Sequence, residues 1–502
     1  MNIQWIGRHL VTGPAAGPLL TLATNLLYRD KVRAPLMGIA DWRLRARVNR
    51  VPQVPSAWYR IEKERTLVAR AILHTVDRLI ERRALSPHVV RVIMDLWGRV
   101  LFVPQGAQPV VQRFREEYGC DPPWFITVSP GHACTLQCSG CYAGAEPSTA
   151  KLPWSVLDRI ISEAKELWGI PLVVISGGEP LEYRSEGKDV LDAVERHADT
   201  LFLMFTNGTT IDAQTAERLA RLGNLTPAIS VEGMRRRTDE HRGQGTFDRV
   251  LEAMDNLRHA GVPFGISVTA TSLNCEEILS DEFLDFFFYG QGAFYGFLFH
   301  YMPIGRSVSF EWMPTPEQRL DCWRRSWEVV ASKKIFLFDF WNHGTMVQGC
   351  VSAGRDGGYL YIDWTGKVMP CVFAPYSAGN IQEIYRQGGT LNDVWNAPFF
   401  QTIRRWQREY GFGKPEPRNE GNWLRPCPIR DHYPLFRKWL ESYHPDPEDE
   451  AAGEAMADEH YYERLMAYGD RLAELSQGIW ERDYLCHKGF DGPRFPDNPL
   501  HP

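Results

Sequence analysis

From Trp124 onward, short apolar runs alternate with longer amphipathic segments. Residues 125–128, 172–176, 201–206, 227–231, 264–269 and 294–301 are rich in β-branched and aromatic side chains and predict strands. Between them, 154–168, 213–222, 247–259 and 276–288 carry apolar residues at helical spacing. Strands that alternate with helices in this way predict a parallel sheet with helical crossovers. Before Trp124 the pattern is different. Leu19, Leu22, Ala23 and Leu26 fall on one helical face, and a second helix covers 62–83 with Val68, Ile72, Val76, Leu79 and Ile80 inward. A third begins at Ser86-Pro87, an N-cap and first-turn pair, and carries Val89, Val90, Ile93, Leu96 and Trp97.

The chain divides by texture into four parts: a helical extension (1–117), an α/β core (118–310), a Trp-, Gly- and Cys-rich region (311–440) and an acidic tail (441–502). In the tail, 446–459 holds seven acidic residues and no basic one, which predicts a solvated linker leading into a surface helix around 461–475.

Composition is that of a soluble globular protein, with 44% hydrophobic and 24% charged residues. Charge is unevenly spread. Residues 1–115 carry 19 Lys/Arg against 7 Asp/Glu, a balance of +12, so the rest of a chain of net charge −6 carries −18. A basic end on an acidic protein implies an anionic partner for that end, a membrane surface or nucleic acid. The longest uncharged stretch, His9 to Tyr28, is interrupted by Gly13, Pro14, Gly17 and Pro18, and so predicts no membrane span. Neither a basic start nor an A-x-A cleavage site marks a signal peptide, so the expected location is the cytoplasm, with peripheral membrane contact through residues 1–50.

Ten cysteines in such a chain point to metal chemistry in a reducing compartment. Three of them, Cys134, Cys138 and Cys141, form a CxxxCxxC run inside a Gly-rich loop after the first predicted strand. Electron-transfer clusters use four thiolates, whereas three leave one iron of a [4Fe-4S] cube open for another ligand. A structural zinc site would need a fourth donor, and His132 stands too near in the chain to close a tetrahedron. The loop resembles that of the radical S-adenosylmethionine (SAM) superfamily. That resemblance implies a partial (β/α)6 barrel with a helical N-terminal extension and a small α+β auxiliary-cluster domain. It also implies a SAM-binding [4Fe-4S] cluster, and reductive cleavage of SAM to a 5′-deoxyadenosyl radical that abstracts hydrogen from an unactivated carbon. The family's usual aromatic before the third cysteine is absent: Gly140 stands there, and Tyr142 follows Cys141.

Further motifs sit at predicted strand ends, where barrel chemistry is placed. Ser176-Gly177-Gly178-Glu179-Pro180 is similar to the family's GGE motif, which implies that Gly177, Gly178 and Glu179 receive the SAM ammonium. Asn207, Ser230 and Glu232 fall where the family contacts the ribose and carboxylate of SAM, and Arg242 either neutralises that carboxylate or is a surface arginine. Ser267 and Thr269 either line the adenine pocket or, as the better reading, are ordinary core-strand residues.

Cys350, then Gly366-Lys-Val-Met-Pro-Cys371, resembles the opening of a SPASM/Twitch extension, with a hairpin around Trp364-Thr-Gly366 drawing the two cysteines together. The dense cysteine run of a full SPASM domain is missing, which implies one auxiliary [4Fe-4S] cluster on Cys350, Cys371 and Cys427. Its fourth ligand is Cys486, Asp431, His432 or an outside atom. Cys120, Cys275 and Cys322 carry no motif.

The expected reductant is flavodoxin or ferredoxin. The substrate is either a lipid or isoprenoid, which suits a basic, apolar N-terminus, or a peptide or protein, as for SPASM-type maturases. A non-enzymatic iron-sulfur or zinc protein would not need the strand-end motifs, and nucleic acid is not the expected partner.

Overall fold

Strand–helix alternation builds one ten-stranded sheet. The structure is a computed structural model that describes residues 16–48, 56–102, 108–412 and 421–485. Seven strands follow one another in parallel: β1 (Phe125–Val128), β2 (Leu172–Ile175), β3 (Leu201–Thr206), β4 (Leu225–Val231), β5 (Gly265–Ala270), β6 (Tyr295–His300) and β7 (Phe336–Asp339). The first six lie within two residues of the sequence expectation. The sheet is the α/β barrel wall expected, extended at both flanks.

β7 is one extension, and the sequence reading did not include it. The other is the hairpin of β8 (Tyr361–Ile362) and β9 (Lys367–Met369), which forms around Trp364-Thr-Gly366 as expected. Local pattern did not reveal its seat. β8 pairs in parallel with β1, and β9 pairs with β10 (Gly379–Asn380), so the cysteine-rich region continues the barrel's own sheet. Sheet order is β10-β9-β8-β1-β2-β3-β4-β5-β6-β7, with no pairing between its ends among the described residues.

The helical extension comprises α1 (Ala16–Leu27), α2 (Asp30–Val48), α3 (Ser56–Glu81), α4 (Pro87–Phe102) and α5 (Pro109–Tyr118). Ser86 caps α4 by accepting the Val89 N–H (3.2 Å), as its type predicts. α3 covers the β7 edge. Its Ile61, Val68 and Ala71 join the main core, Arg65 donates to the Met346 carbonyl (2.8 Å), and Thr345 donates to Glu64 (2.7 Å).

Barrel crossovers are α6 (Trp154–Trp168), α7 (Val190–Arg196), α8 (Ala213–Leu222), α9 (Arg235–Arg242) and α10 (Thr246–Ala260). α6 shows why. Trp154, Leu157, Ile160, Ile161, Ala164 and Trp168 recur at helical spacing and are buried in one stripe, each large side chain contributing about 1.5–3 kcal/mol. The helix expected over 276–288 is broken instead. Ser280 accepts the Phe283 N–H and starts a fresh turn, so a 3-10 turn, one α turn and a π turn replace one helix.

The acidic tail departs from expectation. Asp446–Pro447 pairs as a strand with Tyr376–Ser377, and Lys367 meets Asp446 at 2.8 Å. The stretch is therefore docked by backbone pairing and one lysine rather than a free linker, while most of its acidic side chains stay exposed. The helix that follows, Glu459–Trp480, buries Leu465, Leu472 and Trp480.

Candidate active site

All the strand-end motifs open onto one cavity of about 480 Å³. Cys134, Cys138 and Cys141, from the loop after β1, lie at its wall with Ser176, Gly177 and Gly178 (after β2), Asn207 (after β3), Ser230 (β4) and Arg242 (α9). Burial pushes the Cys134 thiol up to about 11 and raises Cys138, so bound iron must displace both protons. Donors already aim at the sulfurs: Leu136 N–H at 3.4 Å and Asn207 Nδ2 at 3.7 Å from Cys134, and Arg242 Nη1 at 4.0 Å from Cys138. Among the described residues no three His, Cys, Asp or Glu converge on a single ion. A cube does not require that, because each thiolate takes its own iron.

The GGE segment buttresses the cysteine loop. Gly178 N–H donates to Gly131 O (3.0 Å) and Glu179 N–H to Ala133 O (2.7 Å). A Cβ on Gly178 would stand 2.2 Å from the Ala133 oxygen, so this glycine is required by the loop's close approach. Sequence reasoning missed a second buttress. Arg306, just past β6, donates to Gly144 O (3.0 Å), Ala145 O and Cys138 O (3.4 Å), and its N–H bonds Cys141 O (3.0 Å). No local motif marks it; only the fold returns it to the loop.

Two buried carboxylates face different circumstances. Glu232 receives Arg242 Nε (3.0 Å) and the Thr269 N–H (3.1 Å). Arg242 is thus already paired, rather than standing free for a ligand's carboxylate. Glu179 has only neutral donors: Thr206 Oγ1 (2.7 Å), Asn207 N–H (2.8 Å) and Leu181 N–H (3.2 Å). Burial without a cation raises its pKa to about 7. Ser267 and Thr269, read as core residues, line the cavity instead. Gly140 is explained too: a Cβ there would stand 2.8 Å from both Tyr301 and Trp312, whose rings occupy the space. Tyr142 hydrogen-bonds Ser176 (2.6 Å), and His132 stacks on Trp364 (4.3 Å) with Nε2 at the Ala143 carbonyl.

Cys350, Cys371 and Cys427 line the same cavity. Burial pushes Cys427 up to about 12 and raises Cys371 well above the ordinary thiol value. Beside them stand two buried arginines. Arg355, near Cys350, has Nε and Nη1 without acceptors, and Arg430, near Cys427, lacks acceptors at Nη1 and Nη2. Asp431 is held by Arg319 at 2.6 Å and by Arg430 at 3.2 Å, and accepts the Cys427 N–H. His432 Nε2 meets Arg425 O at 3.0 Å. Both side chains are therefore engaged elsewhere, and Cys486 lies outside the described residues. Cys275 and Cys322, which carry no motif, sit together in the core.

Between the two cysteine sets runs a wall of rings. Phe297 and Phe299 (5.9 Å), Phe299 and Phe340 (5.4 Å), Phe299 and Phe373 (5.9 Å), and Phe373 and Trp341 (4.6 Å) are in contact, and Tyr142 reaches Phe373 at 6.5 Å.

A family model described as the radical SAM superfamily matches residues 128–280, and one described as an iron-sulfur cluster-binding domain, SPASM, matches 350–417. The chain is an enzyme that carries a radical SAM domain followed by a C-terminal SPASM domain. Among its relatives, the AdoMet-dependent heme synthase of Methanosarcina barkeri is 28% identical over 318 residues, 56% of this chain and 83% of that protein. The mycofactocin maturase MftC of Mycolicibacterium smegmatis is 29% identical over 318 residues, 60% of this chain and 77% of that one. Streptococcus suis SuiB bound to the precursor peptide SuiA has the same fold, with TM-score 0.51 and 18% identity over 69% of this chain and 78% of that one.

The cofactors of this radical SAM enzyme are [4Fe-4S] clusters and SAM. The residues fit them. Glu179 is a buried carboxylate short of a cation, which an ammonium supplies. Arg355 and Arg430 are buried cations short of acceptors, which an anionic thiolate-bound cluster supplies.

Proposed function

We propose that this enzyme abstracts a hydrogen atom from an unactivated carbon of an apolar substrate, a lipid or isoprenoid, seated against the ring wall. The observation that carries the reading is the cavity lining. It is dominated by Phe205, Phe297, Phe299, Phe338, Phe340 and Phe373, and its one arginine, Arg242, is already paired with Glu232. Such a surface rewards apolar contact and offers little to a charged group.

When bound, a [4Fe-4S] cluster and SAM supply, on reduction by flavodoxin or ferredoxin, a 5′-deoxyadenosyl radical. The chain does the rest. Cys134, Cys138 and Cys141 hold the cluster. Gly177, Gly178 and Glu179 hold the SAM ammonium, and Asn207, Ser230 and Glu232 its ribose and carboxylate side, with Arg242 fixing Glu232 in place through their ion pair. Cys350, Cys371 and Cys427 hold the auxiliary cluster. The aromatic wall excludes water from the substrate's side of the cavity.

A second reading is a peptide that presents an apolar side chain. The maturase relatives and the SuiA-bound fold relative favour it. Deuterium transfer separates the two. Anaerobically reconstituted enzyme is offered perdeuterated isoprenoids and acyl chains, and peptides with deuterated side chains, and deuterium in 5′-deoxyadenosine is counted. Label from an isoprenoid or acyl chain supports the first reading. Label from peptides alone replaces it with the second.

A further inference from the structure

We infer that the outward face of α2 is a docking surface for an anionic membrane. Seven large hydrophobic side chains are exposed among the described residues, and four of them, Leu22, Leu36, Ile39 and Trp42, fall on α1 and α2. Leu36, Ile39 and Trp42 are three residues apart and so form one stripe along a helix. The opposite face is committed. Arg33 reaches Asp30 and Asp77, and Asp41 accepts from Arg70 (2.7 Å), Arg45 (2.6 Å) and His74 (3.2 Å), which locks α2 onto α3. The apolar stripe is therefore turned away from the protein by its own anchoring.

Charge identifies the occupant. Arg29, Lys31 and Arg43 are exposed around the stripe, while Arg45 is drawn to Asp41. Asp41 is paired with two arginines, Arg45 and Arg70, and Asp30 shares Arg33 with Asp77 and Glu81. Apolar and indole side chains ringed by arginine and lysine match the boundary between acyl chains and anionic headgroups. A second copy of the chain fits poorly, because a two-fold contact through this face would set like charges against each other. No helix of the described residues is long and apolar enough to cross a membrane, so the contact is peripheral. The inference is independent of which substrate the enzyme takes.

The test is flotation of the full chain with vesicles of phosphatidylcholine alone and of equal parts phosphatidylcholine and phosphatidylglycerol. The expected result is binding to the anionic vesicles that weakens with salt. Ile39→Ser combined with Trp42→Ala should weaken it roughly tenfold or more. Lys31→Gln with Arg43→Gln should do the same while leaving the apolar stripe intact. These side chains are exposed, so circular dichroism and 5′-deoxyadenosine formation should be unchanged. Absent binding, equal binding to neutral vesicles, or binding that survives both variants overturns the inference. So does light scattering that shows a dimer dissociated by Ile39→Ser and Trp42→Ala without vesicle binding.

Discussion

Glu179 and Glu232 show how one residue type takes two roles. Both are buried, but Glu232 has Arg242, whereas Glu179 has only neutral donors and a pKa raised to about 7. Under the site assignment above, the SAM ammonium completes Glu179. SAM affinity should therefore rise as pH climbs through about 7, where the carboxylate ionises. Glu179→Gln should bind SAM roughly ten- to a hundredfold more weakly and lose that pH dependence, as equilibrium binding to the cluster-loaded protein would report. Glu179 was legible in the sequence because its motif is contiguous. Arg355 and Arg430 were not, since nothing local distinguishes a buried arginine with missing acceptors from a surface one. If their unsatisfied N–H groups face the auxiliary cluster, Arg355→Gln or Arg430→Gln should lower that cluster's reduction potential in an EPR-monitored titration. The SAM-binding cluster should keep its signal.

At the level of elements, strand ends deliver the site and neighbouring loops stiffen it. The cysteine loop leans on Gly178 from the end of β2 and on Arg306 from beyond β6. Gly178→Ala places a methyl 2.2 Å from a carbonyl oxygen, and the loop must move. Iron and sulfide analysis after reconstitution should show loss of the first cluster with the auxiliary cluster retained. Hydrophobic period was enough to predict these strands and α6, because burial of one face dominates their energy. It failed over 276–288, where the Ser280 side chain competes for backbone donors and restarts the helix.

Over the whole molecule, one buried ion pair joins distant parts. Arg319, on the helix Pro316–Ser332, meets Asp431 at 2.6 Å, with both side chains fully buried. Burial opposes ionisation of Asp431, yet Arg319 and Arg430 hold its carboxyl well below the usual range. Its contribution is thus present above the unfolded carboxylate value and is lost as pH falls below about 4. Asp431→Asn should cost about 3–5 kcal/mol, read as a shift of the denaturation midpoint. The folded fraction should keep the iron of both clusters, since Asp431 is engaged by arginine rather than free to bind iron.

The sequence by itself determined the α/β alternation, the cysteine triad, the GGE segment and the second cysteine set. Each is written in contiguous residues or in a repeat that local burial enforces. Tertiary structure decided what long-range contacts alone can set. It seated the β8–β9 hairpin on β1, closed β7 onto β6, and docked the acidic tail through Asp446 and Lys367. It also gathered the ring wall from β6, β7 and the segment after Cys371, and spent Asp431 on Arg319. Parallel pairing and buried ion pairs join residues far apart in the chain, so no local pattern encodes them.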